Sequence, residues 1–141
     1  MNYRFYYPEW NNRTEVCKDY PQIKEITREP TSFWYGVGPK RTIRKTKKSI
    51  QRLLKRADPY LPILVIYSIP HRDLGHHSKG GTESDKEYLQ FIRGFCDAIG
   101  DRSPIVIYEP DCISHMEEMG VVDGLKRLSL IKKSVDLLSK T

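Results

Sequence analysis

The sequence predicts an α/β fold in which a parallel sheet is covered by helices. Two near-continuous apolar runs of strand length, PILVIYSI at 62–69 and SPIVIY at 103–108, are typical of parallel strands buried on both faces. Longer segments with apolar residues at helical spacing lie between such runs. The alternation, repeated about four times, is typical of an open doubly wound sheet or a (β/α) barrel. About four units make half of a barrel, which needs ~250 residues, so we expect residues 1–141 to form one incomplete domain.

Four segments are strand candidates because each is rich in β-branched or aromatic residues and is bounded by glycine or proline. The first, 4–7, is aromatic and ends at a proline. The second, 31–35, ends at a Gly-Val-Gly-Pro segment. The third and fourth are the runs at 62–69 and 103–108. The order of these segments, with helices between them, favours parallel neighbours.

Helices are predicted in the intervals. A short helix is plausible around 18–28, and the basic segment 40–56 has the periodicity of a helix with one buried stripe. This stripe comprises Ile43, Ile50, Leu53 and Leu54. A third helix can be capped by Ser84 or Asp85 and can end at Gly100. Its apolar stripe comprises Tyr88, Leu89, Ile92, Phe95, Cys96 and Ile99.

The last predicted helix covers about 123–139. Its apolar face is predicted to pass through Leu125, Leu128, Ile131, Val135 and Leu138. An irregular stretch separates it from the strand at 103–108. The sequence shows no internal repeat at a fixed period and no low-complexity segment.

The chain is basic, with a formal net charge of +6, and much of the excess lies in the helix at 40–56. Such a charge can serve nucleic-acid binding, but a solvated outer helix face is the simpler interpretation. The segment lacks the interleaved exposed aromatics of a single-strand binder. We therefore expect no nucleic-acid partner. No run approaches the ~18 apolar residues of a membrane span, and the N-terminus lacks the basic and apolar regions of a signal peptide.

The cysteines and histidines do not form a metal-ligand pattern. Cys17, Cys96 and Cys112 contain no C-x-x-C pair and are odd in number, which argues against a disulfide framework or a zinc site. Cys96 fits a helix core. The pair His76-His77 would point in two directions in an extended loop, so we expect no metal and no cofactor.

Two predicted strands lead into an aspartate, Asp73 after 62–69 and Asp111 after 103–108. Ligands of both candidate architectures bind at the carboxyl ends of the strands. If the two strands are neighbours, both carboxylates lie at one rim, and a shared enclosed site separates their pKa values, as a general acid requires. Arg72 could hold one of them as an anion. The alternative is that both are loop or helix-capping aspartates satisfied by backbone N–H groups.

The segments PILVIYSIPHRDLGHHSKGG and IGDRSPIVIYEPD resemble the family 6 glycoside hydrolases, which comprise cellobiohydrolases and endoglucanases acting on β-1,4-glucans. The resemblance covers nearly the whole chain. FYYP at 5–8 is similar to the first strand of the family, TSFWYG at 31–36 to the second, and RLSLIKKSVDLL to the helix after the acid-bearing strand. It implies a distorted (β/α) barrel, of which this chain would be the N-terminal half.

The resemblance also implies roles at the reacting centre. Asp111 matches the general acid that protonates the glycosidic oxygen, and Asp73 matches the second aspartate, which tunes the acid and takes part in the proton path to water. Arg72 would hold the carboxylate of Asp73 in place. The family inverts the anomeric centre, and inverting carboxylates stand ~6.5–9.5 Å apart to leave room for a water molecule.

Three further residues match family positions that contact the sugar or the water. Tyr67 matches the tyrosine that crowds the sugar ring at the cleavage point, and Ser78 matches the loop serine that helps to position the water. Trp34 matches a tryptophan against which a sugar stacks, since an indole face suits the C–H face of glucose. The implied substrate is therefore a β-glucan or a cello-oligosaccharide.

The sequence also departs from the family pattern. Leu74 stands where the family usually has a half-cystine, so the family disulfide is expected to be absent. The family's second half carries another aspartate, proposed as the base, and further tryptophans. We therefore expect weak or no hydrolysis by this chain alone, with a non-catalytic carbohydrate-binding relative as the alternative. Self-association or a C-terminal half would cover an open half-barrel; the compartment stays undetermined, although the family is typically secreted.

Overall fold

The chain forms a three-stranded parallel sheet with three long helices in a computed structural model. The structure describes residues 4–8, 18–23, 25, 29–38, 41–75 and 80–141. The strands are β1 (Ser32–Tyr35), β2 (Ile63–Ile66) and β3 (Ile105–Tyr108). The helices are α1 (Ile43–Ala57), α2 (Asp85–Ile99) and α3 (Gly120–Leu138). The prediction of an α/β fold with a parallel sheet is confirmed.

The sheet has the order β1-β2-β3, so β2 is central and its carboxyl end lies between those of its two neighbours. Trp34 pairs with Val65, and Val65 pairs with Ile107, which places these three side chains on one face. The opposite face carries Leu64 and Ile66, and it packs against the helices. Because all strands are parallel, the loops that follow them meet at one rim.

The prediction that β3 is buried on both faces is wrong. Ile105 is 40% exposed and Ile107 is 44% exposed, and they alternate with half-buried Val106 and Tyr108. The reason is that β3 is an edge strand of the described sheet and that the helices cover only the face that Val106 and Tyr108 share. Exposed and covered residues therefore alternate along β3, whereas a central parallel strand has both faces covered.

The first strand candidate, 4–7, contributes one parallel bridge and no ladder. Phe5 pairs with Leu61, through hydrogen bonds from Tyr6 N to Leu61 O and from Leu61 N to Arg4 O, both of 2.9 Å. From Ile63 onward, β1 and β3 occupy both edges of β2. The segment 4–7 can therefore pair only with residues that precede Ile63. The described sheet therefore has three strands, where four were predicted.

Helices α1 and α2 begin at side-chain caps. Thr42 accepts a hydrogen bond from Lys45 N at 3.4 Å, and Ser84 accepts one from Glu87 N at 3.2 Å, which satisfies backbone donors that a helix start leaves free. Gly100 ends α2 with φ 57° and donates to Cys96 O, as predicted. The predicted apolar stripes of α1 and α2 pack into the core, and Phe91 and Ala98 add to that of α2.

Helix α3 buries a face that overlaps the predicted one only in part. Ile131 is buried and Leu138 packs against the core, as predicted, whereas Leu125, Leu128 and Val135 are 63%, 41% and 45% exposed. The buried residues are Gly124, Arg127, Leu130, Ile131 and Ser134. Two of them are polar and make hydrogen bonds to distant parts of the fold. Arg127 Nη2 donates to Pro70 O at 2.6 Å, and Ser134 Oγ lies 2.6 Å from the hydroxyl of Tyr108.

The core lies between the sheet and the three helices, and Phe91, Phe95 and Tyr88 are its largest fully buried side chains. Of the helix predicted around 18–28, the described residues with helical backbone are Lys18, Asp19, Ile23 and Glu25. Within the described ranges, no helix has the length and apolar character required to cross a bilayer.

Candidate active site

The candidate site lies at the rim formed by the carboxyl ends of β2 and β3. Tyr67 follows β2 directly, and Asp73 begins a short helical turn, Asp73–Gly75. Asp111 follows β3 after Glu109 and Pro110. Because β2 and β3 are parallel neighbours, the structure places the Asp73 and Asp111 loops at the same edge. Asp73, Glu109 and Asp111 all have positive φ, of 59°, 39° and 70°, so both loops leave their strands through sharp turns.

Aromatic side chains form one wall of the rim. The rings of Trp34 and Tyr67 meet edge to face with centroids 5.4 Å apart. Trp34 is 53% exposed, so one face of its indole is open to a ligand. A groove of about 480 Å³ lies beside this pair. It is lined by Trp34, Tyr35, Gly36, Val37, Gly38, Arg41, Tyr67 and Arg72.

Arg72 packs on this aromatic wall. Its guanidinium carbon lies 4.3 Å from the centroid of the Tyr67 ring, and Nη1 donates to Tyr67 O at 2.6 Å. Its backbone N donates to Gly80 O at 3.2 Å, which closes the base of the loop that carries Asp73. Arg72 therefore ties that loop to the groove, while its predicted hold on the Asp73 carboxylate stays a prediction.

His115 connects the two loops. Its Nε2 lies 3.9 Å from Oδ1 of Asp73, and its backbone N donates to Asp111 O at 3.2 Å. Both side chains of the pair are largely buried, with exposures of 19% and 21%. The sequence assigned His115 no role at the site. Its position four residues after Asp111, in the helical turn Ser114–Met116, is the signal that could have placed it at the rim.

The pKa of the Tyr67 hydroxyl is shifted by burial and by the charges around it. Burial raises the pKa of Tyr67, and Arg72 lowers it in part. The charges of Asp73, Asp111 and Glu109 raise this pKa further. The hydroxyl of Tyr67 thus stays protonated near neutral pH and can donate a hydrogen bond to a ligand at the rim.

Glu109 is a functional candidate that the sequence did not reveal, because its motif gives no sign of burial. It is 1% exposed, and its Oε1 and Oε2 accept from Ser68 N at 2.8 and 3.0 Å. The hydroxyl of Tyr88 also donates to Oε1, at 2.9 Å. Burial raises the pKa of Glu109, and hydrogen bonds from Ser68, Ile69 and Tyr88 offset only part of that rise.

This raised pKa predicts a pH-dependent stability. Between the ordinary value of 4.5 and the raised value, folded Glu109 binds more protons than unfolded Glu109. Its stabilising contribution is therefore complete below about pH 4.5 and is lost as pH rises through the folded-state pKa. Urea unfolding from pH 4 to 8 should show that the unfolding free energy of wild type, minus that of Glu109→Gln, falls with pH. Glu118→Gln makes the same substitution at an exposed glutamate and serves as the control, and a flat difference for Glu109→Gln would refute the assignment.

The remaining predicted residues are placed as follows. Ser78, His76, His77 and Cys17 lie outside the described residues. Cys96 is half-buried and Cys112 is buried, both as free thiols, and burial raises the pKa of Cys112 to about 11. In the described part of the chain, no three His, Cys, Asp or Glu side chains come together as a potential metal site.

The chain matches known proteins over most of its length. The family model described as "Glycosyl hydrolases family 6" matches residues 9–139. Endoglucanase A of Cellulomonas fimi is 30% identical over 116 residues, which are 82% of this chain and 25% of that protein. Endoglucanase 1 of Streptomyces sp. (strain KSM-9) is 34% identical over 113 residues, which are 79% of this chain and 31% of that protein.

A solved structure shares the fold. It is the endoglucanase Cel6 from Mycobacterium tuberculosis in complex with methyl-cellobiosyl-4-deoxy-4-thio-β-D-cellobioside, with a TM-score of 0.84 and 21% identity. The match covers 99% of this chain and 49% of that one, so this chain spans about half the length of Cel6 and less of the two relatives above. The family match over residues 9–139 shows that the chain belongs to glycosyl hydrolases family 6.

Proposed function

We propose that the chain supplies the acid side of a site that hydrolyses β-1,4-glucan linkages of the cellulose type with inversion. Asp111 is the general acid, and Asp73 tunes it and takes part in the proton path to water. The observation that carries this proposal is that the Asp73 and Asp111 loops lie at one rim, beside the Trp34–Tyr67 groove. The fold of an endoglucanase solved with a cello-oligosaccharide derivative supports it.

The groove accounts for substrate binding in this proposal. The open indole face of Trp34 stacks on a glucose unit, and Tyr67, in edge contact with that indole, crowds the next ring. Arg72 packs on the ring of Tyr67 and keeps it in place. Ser78 helps to position the attacking water. Two carboxylates of an inverting pair stand ~6.5–9.5 Å apart to leave room for the attacking water.

The sheet is proposed to be part of a distorted (β/α) barrel, with residues 1–141 as one domain. Support comes from the TM-score of 0.84 to a chain of about twice the length. The exposed Ile105 and Ile107 then face the interior of that barrel. In this arrangement a C-terminal half, or a second copy of the chain, covers the face they share.

The same exposed face favours a second candidate, a non-catalytic carbohydrate-binding relative. The match covers 49% of Cel6, and a site formed by half of the strands has an aromatic groove without necessarily having a base. Both candidates require sugar binding at Trp34, and only the hydrolase requires a reacting role for Asp111.

Sugar binding is the direct test. Replacing Trp34 with alanine should weaken cellotetraose binding, followed by NMR titration or calorimetry, by about tenfold or more. The reason is that covering an indole face contributes roughly 1.5–3 kcal/mol, and about 1.4 kcal/mol is a factor of ten. Tyr60→Ala is the matched control, because Tyr60 is a 46% exposed aromatic residue at the opposite end of β2. No cellotetraose binding by wild type, or equal binding by Trp34→Ala, would refute the proposed substrate class.

A further inference from the structure

Ser68 is the point at which the rim segments meet. It is fully buried, and its Oγ accepts from Val37 N at 3.0 Å, in the segment after β1. Its carbonyl accepts from Thr82 N at 2.8 Å and from the Thr82 hydroxyl at 3.2 Å, where the chain returns from the loop after β2. Its own N–H donates to the carboxylate of Glu109, after β3. Three loops of the rim are therefore joined through one buried residue.

We propose that Glu109 is a positioning residue, whose buried carboxylate fixes the loop carrying Asp111 against the segment that leads to Asp73. This inference deepens the proposed function, because it concerns the geometry of the same two acidic groups. Glu109 does not contact solvent, so it acts through Ser68 and through its own backbone.

The side chain of Glu109 fits this role in length and in chemistry. Both of its oxygens accept from Ser68 N, and Oε1 also accepts from Tyr88 OH. A glutamine at this position would need its carbonyl oxygen at the Oε1 position to accept from both donors, and its amide N–H₂ would then face the Ser68 N–H group in place of the acceptor Oε2, which is costly in a buried site. Tyr88 is itself fully buried and lies 3.0 Å from the hydroxyl of Tyr108, so the partner that Oε1 contacts is fixed by the core.

The backbone after β3 needs such a constraint. Glu109 and Asp111 have φ of 39° and 70°, a region that is unfavourable for residues with a side chain unless the surroundings impose it. Cys112 N donates to Glu109 O at 3.1 Å, and the Ser114 hydroxyl donates to Asp111 O at 2.8 Å. These contacts close the turn on itself. The Glu109 carboxylate joins this turn to the segment after β2 by a side-chain contact, in addition to the backbone hydrogen bond from Glu109 N to Ile66 O at 2.9 Å.

Backbone dynamics of the folded chain test the proposal without any need for turnover. In Glu109→Gln, the ¹⁵N order parameters of Asp111 and Cys112 should fall from the rigid value of ~0.85 to below ~0.6. Ser68 N–H should exchange with solvent at least about tenfold faster. Amides 106–108 should stay rigid. Glu118→Gln is the matched control, because it makes the same chemical change at an exposed glutamate.

The outcomes separate a positioning role from a merely structural one. A folded Glu109→Gln that is less stable but keeps rigid Asp111 and Cys112 amides would overturn the proposal. If Glu109→Gln does not fold, Glu109→Asp decides, because it keeps a carboxylate and shortens the side chain, which withdraws the carboxylate from Ser68 N. Faster Ser68 exchange with lower Asp111 order supports the proposal in that variant, and unchanged values reject it.

The proposed function and this inference fail in different measurements. Absence of cellotetraose binding by wild type would remove the sugar site and leave the relaxation data unaffected. Cellotetraose binding by wild type, together with a mobile Asp111 loop in Glu109→Gln, is the result that supports both.

Discussion

Replacing Asp111 with asparagine is expected to remove any hydrolysis of a fluorogenic cello-oligosaccharide that this chain performs. Positioned proton transfer contributes about 10²- to 10⁴-fold to a rate, and an amide cannot supply the proton that the leaving glycosidic oxygen needs. Asparagine keeps the size of the side chain. Asp111 accepts hydrogen bonds from Ser114 and His115 through its backbone carbonyl, so the fold should be unchanged. Initial rates at high protein concentration, with circular dichroism of both proteins, make the comparison.

The matched control is Asp101→Asn, since Asp101 is an exposed aspartate at the opposite end of β3. It should keep the wild-type rate. Since the chain spans about half of its solved neighbour, we expect the wild-type rate to be low or absent. Equal, measurable rates for wild type and Asp111→Asn would contradict the assignment of the acid. A rate comparable with that of a full-length relative would contradict the expected dependence on a second half.

Replacing Gly81 with alanine should cause the largest loss of stability among the glycines that border the rim. A Cβ at this position would lie 2.0 Å from Ile69 O, and Gly81 has φ +94°. A backbone oxygen cannot move aside as a flexible side chain can, so overpacking and backbone strain combine to about 3–5 kcal/mol. The same shift would pull Thr82 away from Ser68. Urea denaturation with a fixed m-value measures the effect.

Two other glycines separate the effect of backbone strain from the effect of the close contact with Ile69 O. Gly100 has φ +57° and no atom within 4 Å of its would-be Cβ, so Gly100→Ala should cost about 1–2 kcal/mol from the left-handed backbone alone. Gly38 has neither a positive φ nor a neighbour within that distance, so Gly38→Ala should change stability little. A Gly81→Ala protein as stable as Gly100→Ala would show that the close approach to Ile69 is not required.

Local sequence patterns were sufficient for β1 to β3, for α1 to α3 and for the loops that carry Asp73 and Asp111, but they also predicted a strand at 4–7 that makes one bridge only. Apolar runs, proline boundaries and the Ser84 cap are short-range signals, and the parallel order of neighbours follows from the crossover helices. These signals do not fix which face of an element is covered. On helix α3 the apolar Leu125 and Leu128 are exposed, and the polar Arg127 and Ser134 lie on the buried side.

The sequence could not reveal the buried partners of the site for the same reason. Arg127 and Ser134 are satisfied by groups 57 and 26 residues away, and Glu109 by an amide 41 residues away. Polar residues of this kind look like surface residues until long-range hydrogen bonds are known. The exposure of Ile105 and Ile107 likewise depends on which elements pack next to β3. The residues of a strand alone do not show which elements these are.

The junction at Ser68 has a consequence for the order in which the molecule is assembled. All of its partners lie between Val37 and Glu109, and Tyr88, which holds the Glu109 carboxylate, lies between them as well. A growing polypeptide can thus complete this junction as soon as β3 and the turn after it have left the ribosome. The relative position of the two acidic loops is then set early in synthesis, and any strand added later meets a rim whose shape is already decided.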